Sequence, residues 1–226
     1  MNADLKSRLE KILSEPIKNT STVSGGCIAD SRKLKLESGK VYFLKQLHGS
    51  SSSTFDAEER GLTELRKSGK VSVPKVVSKG ADFLLLQWIE EGFSRTSSSM
   101  EMLGSQFAEM HRYRGEKFGF YEDNLLGASP QSNKPSKQGS HNWAIFFAEN
   151  RLEFQTSLAV KNGYANPEMR RLMDKLIMRV PEIISGTDEE PSLLHGDLWS
   201  GNYLIDGNGN PWLIDPAVYY GHREAD

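Results

Sequence analysis

The sequence predicts an α+β chain of two lobes: a mixed β-sheet lobe with one helix over residues 1–91, and a mainly α-helical lobe over residues 92–226. Three observations predict it. Short runs rich in β-branched and aromatic residues, bounded by turn residues, fill much of the first ninety positions. Beyond residue 100 the apolar residues fall at helical spacing instead, as in Met102, Leu103, Phe107 and Met110. Near the end, the stretch YLIDGNGNPWLI reads as strand, turn and strand. It carries Asn202 at its entrance and Asp215 at its exit, with Asp197 in the loop before it.

In chain order, Leu5, Leu9, Ile12 and Leu13 lie on one face of a short amphipathic helix. Residues 20–47 read as strands, interrupted by Gly25-Gly26-Cys27 and by a turn at 37–40; the run 41–44 is the strongest, and Lys45 lies at its end. A serine-rich connector over 49–53 leads to a helix from Phe55 to about residue 67, with Phe55, Leu62 and Leu65 on its buried face. Residues 71–77 read as a strand broken by Pro74. The fully apolar 83–86 suits a strand covered on both faces, and it leads into Gln87-Trp88-Ile89. A serine-rich loop over 95–99 caps the first long helix of the second lobe, where His111 reads as a packed or surface residue. Residues 129–140 read as a polar surface loop. Two more helices follow, one from Trp143 through Leu158 and one over 169–180 that stops near Pro181.

Composition narrows the function classes. The chain has 226 residues and a formal net charge of −2, which argues against charge-driven binding to nucleic acid or to a membrane surface. Its apolar runs fall short of a membrane span, and the N-terminus is charged, without the apolar core of a signal peptide. One cysteine excludes an internal disulfide, so a reducing, cytoplasmic setting is expected.

The oxygen-bearing residues at the hairpin mouth suit magnesium held against phosphates, and a carboxylate that receives a hydroxyl proton. His195-Gly196-Asp197, four residues, Asn202, and then Asp215-Pro216-Ala217 resemble the catalytic text of protein kinases, with Gly in place of the Arg before the base. The resemblance implies a protein-kinase-like fold in its small-molecule branch. HGDLWSGN, DPA and YGHREAD together resemble the fructosamine kinase (ketosamine 3-kinase) family, as do the Gly-Gly-Cys-Ile loop, the FGF…DN segment and W-x-x-F-F. That family continues beyond residue 226, so relative to it the helical lobe is truncated at its C-terminal end.

The resemblance implies transfer of the γ-phosphoryl of Mg-ATP to the 3-hydroxyl of a fructosamine or ribulosamine, on a protein or a free amine, with loss of the sugar afterwards. It assigns Asp197 as the base and Asn202 and Asp215 as magnesium ligands. Lys45, set by Glu58, becomes the phosphate clamp; Gly25 and Gly26 cover the phosphates, and Gln87, Trp88 and Ile89 form an adenine hinge that acts through its backbone. Trp199 and His222 are substrate-side candidates, and packing is the alternative for Trp199. Cys27, beside the expected phosphate loop, is a candidate redox switch that links two chains by a disulfide. A kinase of another small alcohol or an aminoglycoside, and a non-catalytic nucleotide-binding fragment, are the alternative functions.

Overall fold

The computed structural model describes residues 1–23, 29–47, 52–92 and 95–226. Helix α1, Ala3–Leu13, opens under an Asn2 cap whose side chain accepts the Leu5 N–H at 2.8 Å. Leu5 and Leu9 are fully buried, while Ile12 falls off the packed face and is 46% exposed. Strands β1 (Ile17–Thr22), β2 (Asp30–Leu36), β3 (Val41–Gln46), β4 (Val76–Lys79) and β5 (Phe83–Gln87) form a five-stranded sheet in the order β1-β2-β3-β5-β4. Its ladders are all antiparallel, and a parallel bridge, Ser72 to Trp212, ties the linker before β4 to the C-terminal hairpin. The strand expected over 71–77 begins only at Val76. Pro74 has no N–H to give a ladder, and the segment before it leaves the sheet.

Strand β5 explains why 83–86 is apolar without alternation. Phe83 and Leu85 pack with α1 on one face of the sheet, and Leu84 and Leu86 join the core under α2, Ser52–Lys67, on the other. That second core does not stop at the lobe boundary. Phe55, Leu62 and Leu65 of α2 share it with Leu103 and Met110 of α3 (Ser97–Met110), Leu193 of β8 (Ser192–Leu194) and Val218.

In the second lobe, β6 (Asn124–Leu126) and β7 (Ser129–Gln131) form a hairpin where a surface loop was expected from residue 129. Polarity misleads there because Gln131 and Asn133 are buried, the latter with its N–H on the Asp123 carboxylate at 2.7 Å. The helix from Trp143 runs as α4 (Trp143–Phe146), a π-helical stretch over Phe147–Glu153, and α5 (Phe154–Lys161). Helix α6, Pro167–Ile183, is capped by Asn166 and continues past Pro181 to Ile183, two residues beyond the expected stop; Pro181 gives up one backbone hydrogen bond near the helix end. The catalytic-end hairpin pairs β9 (Tyr203–Ile205) with β10 (Pro211–Leu213), and β11 (Tyr219–Gly221) returns to pair with β8.

Candidate active site

Four elements deliver side chains to one cleft. β3 carries Lys45, α2 carries Glu58, the loop after β8 carries Asp197, and the β9–β10 hairpin carries Asn202 and Asp215 at its two ends. The hairpin closes as antiparallel pairing requires, with the Ile214 N–H donating to the Asn202 carbonyl at 3.0 Å. The cleft has a volume of about 370 Å³, and Trp199, Asn124, Leu125 and Thr54 also line it.

Lys45 Nζ lies 2.7 Å from Glu58 Oε1 and 2.5 Å from Asp215 Oδ1, with only a tenth of its side chain exposed. Burial opposes the ammonium charge, but the two carboxylates outweigh it and raise the lysine above its ordinary value. Burial pushes the Glu58 carboxyl up, against the pull of Lys45. The site therefore holds a fixed positive charge between two acidic groups, 170 positions apart in the case of Asp215.

Asp197 is held from below. His195 is fully buried and is kept neutral by burial. Its Nε2 sits 2.9 Å from the Ile214 carbonyl, and its Nδ1 faces the Asp197 N–H at 3.3 Å, so the proton is assigned to Nε2. Gly196 takes φ +82°, and a Cβ there would lie 2.0 Å from the Ala217 carbonyl oxygen, so no larger residue fits. Burial raises the Asp197 carboxyl, while Asn202 opposes the shift by donating its side-chain N–H to Asp197 Oδ2 at 3.0 Å and to the Asp197 carbonyl at 2.8 Å. Asp215 is one of two non-glycine residues among those described with positive φ, at +54°; such strain concentrates at functional sites.

The donor set fits magnesium. Asn202 uses its N–H groups on Asp197, which leaves its amide oxygen to join the Asp215 carboxylate as a hard ligand. Among the described residues no three His, Cys, Asp or Glu side chains form a metal cage, so the remaining ligands would come from phosphate and water, the pattern magnesium favours.

Not every expected residue reaches the cleft. Trp88 directs its indole N–H to Glu90 at 2.6 Å and lies under Lys33, 4.2 Å from its ring centre; with Gln87 and Ile89 it is outside the lining. His222 is buried, with its ring 6.1 Å from that of Trp143 and Nδ1 3.6 Å from Glu189, and it does not line this cleft. Trp199 is in the cleft wall and 57% exposed. Gly25, Gly26 and Cys27 lie outside the described residues.

Two residues matter here that sequence reasoning did not single out. The Asp226 carboxylate has no exposed surface; it accepts the His195 N–H at 2.8 Å and the Gly196 N–H at 2.7 Å, and it meets His111 Nε2 at 3.1 Å. Arg95 donates to the Ser200 carbonyl and to the Tyr203 hydroxyl, both at 3.0 Å, and so braces the loop that ends in Asn202. The only sequence signal for Asp226 was its place at the end of YGHREAD; Arg95 had none.

The chain is 36% identical over 217 residues to a chloroplastic protein-ribulosamine 3-kinase of Oryza sativa subsp. indica, which covers 93% of this chain and 61% of that protein. It is 35% identical over 215 residues to a probable ketoamine kinase of Synechocystis, with 93% and 70% covered. A crystal structure of a Thermobifida fusca protein assigned as a fructosamine-3-kinase matches with a TM-score of 0.86 and 29% identity, over 100% of this chain and 77% of that one. An ADP-bound aminoglycoside phosphotransferase shares the fold at a TM-score of 0.65 and 15% identity. The chain thus spans about three fifths of the length of the rice relative. The fructosamine kinase family profile matches residues 1–226, and the chain belongs to that family.

Proposed function

We propose that the protein of which these residues are part transfers the γ-phosphoryl group of ATP to the 3-hydroxyl of a ketosamine, a fructosamine or ribulosamine on a protein or a free amine. The observation that carries this reading is the convergence of Lys45–Glu58, Asp197, Asn202 and Asp215 on one cleft with an exposed indole, Trp199, in its wall. The names of the relatives, protein-ribulosamine 3-kinase and ketoamine kinase, support the acceptor class.

In this reading Asp197 accepts the proton of the acceptor hydroxyl as that oxygen attacks the γ-phosphorus, and the bond to the β-γ bridging oxygen breaks. Its raised pKa brings it nearer the range useful to a base, and Asn202 keeps Oδ2 oriented. Lys45 leaves one carboxylate contact to meet the nucleotide phosphates while Glu58 holds its ammonium in place. Magnesium, held by Asn202 and Asp215, supplies positive charge against the phosphate oxygens. Trp199 offers an apolar face to the C–H surface of a sugar. Residues 1–91 serve as the nucleotide lobe and 92–226 as the catalytic and acceptor lobe, with adenine bound through the backbone at 87–89 and phosphates beneath 25–26. The phosphorylated ketosamine then breaks down, freeing the amine. A cytoplasmic location is part of the proposal; no helix among the described residues is long and apolar enough to cross a membrane.

An acceptor screen with ATP tests this, read by phosphorus NMR of the product. A ribulosamine or fructosamine 3-phosphate is the expected product. Transfer only to an aminoglycoside or to choline would overturn the acceptor assignment, and ATP binding with no transfer to any acceptor would favour a binding module.

A further inference from the structure

The YGHREAD run does more than end the catalytic segment. Its tyrosine, Tyr220, lies in β11, paired to Leu193 of β8, and exchanges two backbone hydrogen bonds with Gly119, at 2.7 and 2.9 Å. From this rigid ladder its hydroxyl crosses to the other lobe and donates to Glu64 Oε1 on α2 at 2.8 Å. Glu64 is 9% exposed. Burial first, and then Glu64, raise the phenol, which keeps it a donor at any ordinary pH.

Tyr220 is one of several ties between α2 and the second lobe. Arg60 forms an ion pair with Glu122. Gly61 sits against the segment between Asp215 and β11: a Cβ there would be 3.2 Å from Pro216 Cγ and 3.4 Å from Val218 Cγ2, so even alanine would press on it. Glu58, Gly61 and Leu65 follow i, i+3, i+7 spacing and form the stripe that faces these contacts, with Glu64 on its flank. Leu62 and Leu65 complete the seat in the core shared with Leu193 and Val218.

We infer that Tyr220 is a positioning residue for the nucleotide clamp: through Glu64 it fixes the rotation and height of α2, so that Glu58 meets Lys45. Helix α2 is thus tied to both lobes: on the sheet side Lys79 of β4 pairs with Asp56 and Glu59, and on the other side Tyr220, Glu122 and Pro216 hold it to the second lobe. The Lys45–Glu58 pair is then set in part by the same lobe that carries Asp197 and Asp215. The inference rests on the reading of Lys45–Glu58 as a phosphate clamp.

Calorimetric titration with Mg-ATP tests it without any acceptor. Tyr220→Phe keeps the ring and deletes one donor, and Glu64→Leu deletes the matching acceptor. Each is expected to weaken Mg-ATP binding by roughly fivefold to tenfold, the scale of one buried hydrogen bond. In a Glu58→Gln background, where the clamp is already released, adding Tyr220→Phe is expected to change affinity by less than about twofold. A role in folding alone would lower the melting temperature and leave affinity unchanged, or would give fully additive losses; either result overturns the inference. If one variant does not fold, the other carries the same comparison. Wild-type protein that fails to bind Mg-ATP would instead overturn the clamp reading beneath it.

Discussion

Asp226→Asn is the substitution for which the structure gives the clearest magnitude. The wild-type carboxylate, with no exposed surface, receives the His195 and Gly196 N–H groups at 2.8 and 2.7 Å. Hydrogen bonds to a charged group contribute about 1.5–3 kcal/mol each. Asparagine keeps one carbonyl oxygen for one N–H and turns its own NH₂ toward the other, so one bond weakens and one becomes a donor–donor contact. Relief from burying a charge returns part of this. The net loss is about 2–3 kcal/mol, which for a domain of this size is a fall of about 5–10 °C in melting temperature. The same energy opens the His195–Asp197 loop by on the order of a hundredfold. Because Asp197 follows Gly196 directly, turnover should fall with it; Mg-ATP affinity, which rests on Lys45 and Glu58 as well as on Asn202 and Asp215 beside the loop, should fall less. Thermal melts, calorimetry and steady-state turnover check all three. A variant that melts within about 1 °C of wild type and turns over normally would refute the view that this carboxylate holds the loop.

Three further outcomes are expected. Asp197→Asn should abolish transfer but keep Mg-ATP binding by calorimetry. Because burial raises the Asp197 pKa, the folded state binds more protons there than the unfolded state, and wild-type stability falls as pH rises from the ordinary aspartate value through the raised one. The asparagine variant should therefore melt no lower than wild type at neutral pH. Lys45→Met leaves Glu58 and Asp215 without their shared cation, in a site where the Glu58 side chain is 12% exposed. It should cost about 3 kcal/mol at neutral pH and less at acid pH, where the Glu58 carboxyl protonates; pH-dependent melts would show this. For Cys27, proposed from sequence as a redox link between chains, mild peroxide should give a dimer on non-reducing electrophoresis that Cys27→Ala abolishes.

The sequence by itself determined the chemistry at one hairpin. Asp197, Asn202 and Asp215 stand within nineteen positions of chain, and a DGNGN turn between two short strands brings the ends together by local geometry alone. Lys45 and Glu58 were legible because each lies in an element whose apolar pattern is strong, although their pairing was inferred from resemblance. The helix positions held for the same reason: amphipathic spacing reports a local preference together with burial on one face. Local reading failed where polar residues are buried by partners distant in sequence. Residues 129–140 look like a surface loop, yet Gln131 and Asn133 are enclosed. Tertiary structure alone decided that Asp226 caps the backbone of His195 and Gly196, that Tyr220 reaches Glu64, and that α2 is seated on the lobe it does not belong to in sequence. Each of these contacts joins residues 30 to 156 positions apart. A single hydrogen bond or a close approach at one glycine leaves no periodic trace in the chain, whereas a helix face or a hairpin repeats its signal at every turn.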